Sequence, residues 1–193
     1  MISKIHICNL ALAQLGQSSI SSLEQENEKA RRLNLFYAPV RDEILRTHNW
    51  AFAGAEEPLA LLESEPDVQG RFTYKYPSEA LFIRNISETG RERLPFQEFF
   101  RPDLHSRVIL TPSEHARAYY TCRITDENLF DPAFIKCFSL ALACDLAVVL
   151  SADMQLAAQL LQKYTLSLAE ARRSNATESF HTVPAMDAFT EVR

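Results

Sequence analysis

The side chains with chemistry to offer are scattered along this chain. Histidines stand at His6, His48, His105, His115 and His181, and none belongs to an HExxH or similar metal-binding arrangement. The cysteines Cys8, Cys122, Cys137 and Cys144 form no CxxC pair. Cys137 and Cys144 sit two helical turns apart on one face, too far to bond to each other. All four read as small apolar core residues in a reducing cytoplasm, with no histidine at ligand spacing for a metal. No GxSxG elbow, Walker loop or GxGxxG occurs, and four glycines leave little from which to build a phosphate cradle. Glu24, Glu26 and Glu28 could supply paired carboxylates, but they precede an apolar stripe and favour a helix N-terminus instead. The expectation is a chain that is not an enzyme, with no catalytic residue, cofactor or metal.

A second set is basic. Arg71, Lys75, Arg84, Arg91, Arg93, Arg101, Arg107, Arg117 and Arg123 crowd the middle of the chain among aromatics. In a basic protein this would suggest a nucleic-acid surface. Here the net charge is -5, and no nucleic-acid motif is present, so a solvated strand face that pairs with acidic groups on a neighbour is expected. Trp50 and Phe52 could line a pocket, but they read as plugs at the end of a core.

The elements that position these residues follow from periodicity. Ile5, Cys8, Leu12 and Leu15 stripe a first helix over Ser3–Leu15, stopped by Gly16. Ser22 with Gln25 reads as a capping box for a second helix, with Leu33, Tyr37, Val40 and Ile44 buried, Pro39 kinking it and an end near His48. The period then changes to two. Phe72, Tyr74 and Tyr76 alternate with charged residues, and Ala80–Ile86, Arg107–Leu110 and Arg117–Ile124 also read as strands, giving one small antiparallel sheet. Asp131-Pro132 caps a third helix striped by Ile135, Phe138, Leu142, Leu146 and Val149. A fourth runs from after Ser151 to about Ala176, striped by Leu156, Leu160, Tyr164, Leu168 and Ala171. The predicted fold is mainly α: a four-helix bundle-like core over residues 1–176, an antiparallel β insertion at about 70–125, and an extended C-terminal tail at 177–193.

That tail is the most informative segment. Phe180, Val183, Met186, Phe189 and Val192 recur at every third residue, a spacing of neither α-helix nor strand, and Pro184 interrupts any helix. Solvated tails are poor in large apolar residues, so these five side chains are expected to bind a partner. No apolar run reads as long enough to cross a membrane, since Phe138–Leu150 is short and broken by Asp145. Met1–Gly16 has no continuous apolar stretch and is not read as a signal peptide.

Four stretches together resemble the head-to-tail adaptor, or tail tubular protein A, subunits of short-tailed bacteriophages. They are Cys8–Gly16 followed by Ile20-Ser21-Ser22-Leu23; Tyr37–Phe52, with Val40–Leu45 leading to Asn49-Trp50-Ala51-Phe52-Ala53; Tyr74–Pro77 with Leu81–Arg84; and Tyr119-Tyr120 through Asp131-Pro132 to Leu146-Ala147. The loop 91–106, with Phe96, Phe99 and Phe100, matches that family poorly. The resemblance implies a subunit of a ring, typically dodecameric, in the virion at the head–tail junction, made in the bacterial host cytoplasm. It implies as partners the portal protein ring, neighbouring copies of the chain and a downstream tail or nozzle protein. Genomic DNA would pass without specific binding. Two other readings compete: a helical enzyme or small-molecule binder with an aromatic pocket near Trp50, and an interaction module unrelated to virions.

Overall fold

The structure, a computed structural model, describes residues 2–90 and 92–178. Four α-helices frame seven strands: α1 (Lys4–Gln14), α2 (Glu28–Thr47), β1 (Gly54–Pro58), β2 (Leu61–Glu63), β3 (Phe72–Lys75), β4 (Ala80–Ser87), β5 (Gln97–Arg101), β6 (Ser106–Thr111), β7 (Arg117–Cys122), α3 (Pro132–Leu146) and α4 (Met154–Glu178).

The helices start and stop where side chains satisfy their end groups. Ser3 caps α1 by accepting the His6 N–H. Gly16, at φ +64°, ends it, while the Gln17 N–H reaches back to the Leu12 carbonyl. The α2 cap is Asn27, whose side chain accepts from Ala30 N–H at 2.8 Å. The expected Ser22 cap fails because Gln25 turns to Ser21, and Ser22 Oγ accepts from Glu24 N–H. Pro39 lies on the exposed face of α2, where water can take up the carbonyl it frees. Asp131 caps α3, with Pro132 at its first position. A π-helical turn, Ala147–Ser151, and left-handed Ala152 carry the chain into α4.

α3 is the central helix, packed against α1, α2 and α4. Together with its π turn it is long and apolar enough to cross a membrane by length and composition, which the shorter run read from the sequence was not. Most of it is buried inside the protein, as a core helix is. Tyr37, Trp50, Phe134 and Phe138 are almost fully buried. Phe52 and Phe130 join them in ring contacts with centroids 4.8–6.3 Å apart, mostly tilted or edge-on. Burying each such side chain contributes roughly 1.5–3 kcal/mol.

The expected mainly α fold with one small sheet is corrected. Helix accounts for 46% and strand for 21%, and there are two antiparallel sheets, ordered β1-β7-β4 and β2-β3-β6-β5. The protein is a mixed α and β fold with a second hydrophobic core. Ile83 and Ile86 of β4 with Ala118 and Tyr120 of β7 meet Tyr74 of β3 and Ile109 of β6 there. The additional strands β1, β2 and β5 each lie at a sheet edge, where only one neighbour pairs with them.

Candidate interaction surfaces

The residues singled out for partner binding, Phe180, Val183, Met186, Phe189 and Val192, lie outside the described residues. The helix before them runs longer than expected: α4 continues through Thr177 to Glu178. The residues expected to bind a partner follow the end of α4 in the sequence.

That end of α4 is fastened to the connection after α2. Asn175, buried, accepts the Ala51 N–H at 2.7 Å and donates to the Asn49 carbonyl at 2.9 Å; its amide nitrogen also lies 3.0 Å from His48 Nε2. An amide that donates there requires an accepting, neutral imidazole. Burial, then the neighbouring Arg172 and Arg84 charges, hold the His48 pKa below its ordinary value. The last carbonyls of α2 are capped by side chains from three other parts of the chain. Trp50 Nε1 donates to the Ile44 carbonyl at 3.0 Å, and Arg172 to that of Thr47 at 3.2 Å. Arg84 of β4 donates to the carbonyls of Arg46 at 2.8 Å and His48 at 2.7 Å. Its guanidinium also donates to Thr121 and stacks on Phe82, while Arg46 returns a hydrogen bond to the Leu81 carbonyl. The sequence Asn49–Ala53 is thus the joint between helices and sheet. Trp50 is 1% exposed, with its ring against those of His48, Phe52 and Phe134.

Five arginines of the β half have carboxylate partners within the chain. Arg71 pairs with Asp67 at 2.7 Å, Arg117 with Glu56 at 2.9 Å and Arg123 with Asp42 at 2.9 Å. Arg101 pairs with Glu63 at 2.9 Å and Asp103 at 2.8 Å, and Arg107 pairs with Glu98 and lies over the Tyr76 ring. Arg91 lies outside the described residues. Such partly exposed pairs stabilise little, but they neutralise charge that DNA phosphates would otherwise meet.

The cysteines are all free thiols. Burial pushes Cys8 up to about 12 and Cys144 up to about 11, and raises Cys122 and Cys137 as well. Burial thus disfavours the thiolate form at all four. A cavity between α2, α3 and α4 is lined by Glu43, Cys144, Asp145, Leu161 and Tyr164. Burial and then Glu43 raise the Asp145 pKa, and burial raises Tyr164, so the cavity collects groups that hold their protons more tightly than usual. Among the described residues no three His, Cys, Asp or Glu side chains come together as metal ligands.

Large apolar side chains are exposed at several places, Leu35, Phe82, Leu129 and Leu166 among them. Leu61 and Leu62 on β2 and Phe99 and Phe100 on β5 are exposed in the β half. Val148, Val149 and Met154 are exposed around the α3–α4 turn, with Leu161 further along α4. Contiguous apolar patches mark interaction sites, whereas apolar residues exposed singly are ordinary. The sequence reading missed those on β2, β5 and the α3–α4 turn: β2 and β5 were not read as strands, and Val149 was read into the α3 stripe, whereas the π turn carries it out of the core. No protein-family model and no curated protein matches the chain.

Proposed function

We propose that this chain is a structural subunit of a phage neck: a ring-forming head-to-tail adaptor that docks on the portal, extends the DNA channel and offers the platform for tail attachment. The observation that supports this reading is the placement of exposed apolar residues. Leu61 and Leu62 on β2, Phe99 and Phe100 on β5, and Val148, Val149 and Met154 at the α3–α4 turn expose apolar side chains on separate elements, which a subunit that touches different partners on different sides would use. The stretches that carry the family resemblance lie largely in the scaffold, with Trp50, Phe134 and Phe138 in the aromatic core and Asn49–Ala53 in the joint. The neutralised arginines suit a lumen past which DNA slides without sticking. Portal docking is assigned to Phe180, Val183, Met186, Phe189 and Val192, and the site of action to the head–tail junction of the virion.

The test is truncation after Glu178, which leaves α4 whole. The shortened chain should keep its helical circular dichroism and its melting transition, yet fail to co-sediment with purified portal rings. Portal binding at full strength by the truncated chain would remove the tail from the reading. Absence of portal binding by the full chain would remove the reading itself.

A further inference from the structure

We propose that Arg46, Arg84 and Arg172 form a docking site for the carboxylates of an acidic segment on a partner protein. The three come from α2, β4 and α4 and meet at the C-terminal turn of α2. Arg84 donates to the carbonyls of Arg46 and His48, and Arg172 to that of Thr47 between them. Arg46, on the same turn, reaches the Leu81 carbonyl. Arg46 and Arg84 both lie against the ring of Phe82, with their guanidinium carbons 5.2 and 4.6 Å from its centroid. That ring is 38% exposed, Arg46 is exposed, and Arg84 and Arg172 are half-buried.

The helix end accounts for part of this charge and leaves the rest. Its last carbonyls amount to about half a negative charge, against three positive ones. Among the described residues no carboxylate lies within ion-pair distance of Arg46, Arg84 or Arg172. Arg71, Arg101, Arg107, Arg117 and Arg123 each have one. Asp42, on the same helix as Arg46, is taken by Arg41 and Arg123. The neighbouring charges are themselves basic. Burial and, less strongly, Arg46 lower the Arg84 pKa, as burial and then Arg172 and Arg84 lower that of His48. Arg172 Nε is buried without an acceptor among the described residues, so this guanidinium is under-satisfied where it stands.

A carboxylate matches the guanidinium fork in shape and charge, and Phe82 offers an apolar rest beside it. A nucleic-acid backbone needs a longer basic track. Here Arg117 and Arg123 on β7, the strand beside β4, are already neutralised, and the net charge of the chain is -5. Arg172 stands about two turns before the end of α4, after which come the residues assigned to portal docking. That the acidic segment belongs to the portal rests on the adaptor reading; the site itself does not.

Titration of the full chain tests the site with three probes: a fluorescently labelled hexaglutamate peptide, inorganic phosphate, and a single-stranded oligonucleotide of the same net charge as the peptide. Binding is read from the anisotropy of the labelled probe and from Trp50, the single tryptophan, whose ring lies 5.0 Å from that of His48. The expected result is saturable peptide binding that weakens severalfold as salt is raised. Arg46→Gln should lower the affinity severalfold at unchanged melting temperature, Arg46→Lys should restore part of it, and Arg46→Gln with Arg172→Gln should abolish it. Arg101→Gln, which removes an arginine already paired, should leave it unchanged. Absence of saturable peptide binding, or binding indifferent to Arg46→Gln, would overturn the proposal. So would an oligonucleotide that binds more tightly than the peptide and is lost with the same variants, or phosphate that displaces the peptide at equal concentration. Portal binding at full strength by the double variant sinks the docking site and keeps the adaptor reading. Arg46-dependent peptide binding by a chain that does not bind portal keeps the site and sinks the adaptor reading.

Discussion

Asn175, three residues before the end of α4, accepts the backbone N–H of Ala51 at 2.7 Å. One side chain so closes a loop of more than a hundred residues and locks the root of the C-terminal segment to the joint between helices and sheet.

Replacing Asn175 with Ala leaves the Ala51 N–H and the Asn49 carbonyl without their partner. The expected loss is about 1–3 kcal/mol, read from the urea midpoint at unchanged slope. Asn175→Asp keeps the acceptor for Ala51 and loses the donor, so it should fall between the two. A variant as stable as the parent chain would show that the joint is held elsewhere.

The same site sets a pH dependence. The folded chain binds a proton at His48 less readily than the unfolded chain, because burial and then Arg172 and Arg84 disfavour the imidazolium. Its contribution is therefore complete above the ordinary histidine value of about 6.5 and is lost as pH falls below it through the folded value. Asp67, Asp103 and Asp126, each held below the usual carboxylate range by hydrogen bonds, act in the same sense only at more acid pH. His48→Gln should flatten the melting-temperature curve just below pH 6.5 and leave the acid limb in place. Equal slopes in the two proteins would contradict the assignment.

Arg84→Lys keeps the charge on β4 but loses the planar fork that reaches Thr121 and the carbonyls of Arg46 and His48 together. A cost of about 1–3 kcal/mol is expected from hydrogen bonding, moderated by the partial exposure of the site. Hydrogen exchange should report loosening at the C-terminal turn of α2 before any change in the aromatic core.

Leu142, fully buried on α3, is intolerant of charge. Leu142→Asp should cost on the order of 4–5 kcal/mol and leave little folded protein. Leu166→Asp on the exposed side of α4 is the control, with a change of about 0.5 kcal/mol or less. A soluble Leu142→Asp variant that melts normally would refute the register of α3.

How much of this was legible in the residues depended on whether an element has a dry side. Asp131-Pro132 announced α3, and the Leu33, Tyr37, Val40 and Ile44 stripe announced α2, because burial imposes a period on sequence. The central strands β3, β6 and β7 showed themselves in the same way. β1, β2 and β5 did not. Gly54–Pro58 and Gln97–Arg101 are wet on nearly every side, so nothing selects alternation, and the backbone of a neighbour alone makes them strands. Missing three edge strands is what turned a mixed fold into an expected helical bundle. The joint was hidden for a different reason: Asn175 and Ala51 are far apart in sequence and neither belongs to a motif. The start of α2 misled because the spacing of Ser22 and Gln25 is right for a capping box while their side chains bond locally instead.

The two hydrophobic cores differ in how they are threaded. The sheet core draws its buried and flanking residues from Ala55 to Cys122, whereas the helical core draws on both ends of the chain, from Ile2 to Ala171. On a ribosome that difference becomes an order of events. Every strand has left the exit tunnel while α4 is still being translated, so the sheet can settle as a unit on the nascent chain. α1 and α2 wait with an uncovered apolar flank until α3, the helix both pack against, follows the sheet out. The helical half becomes whole only when α3 has come out to join α1 and α2, and α4 has closed over it.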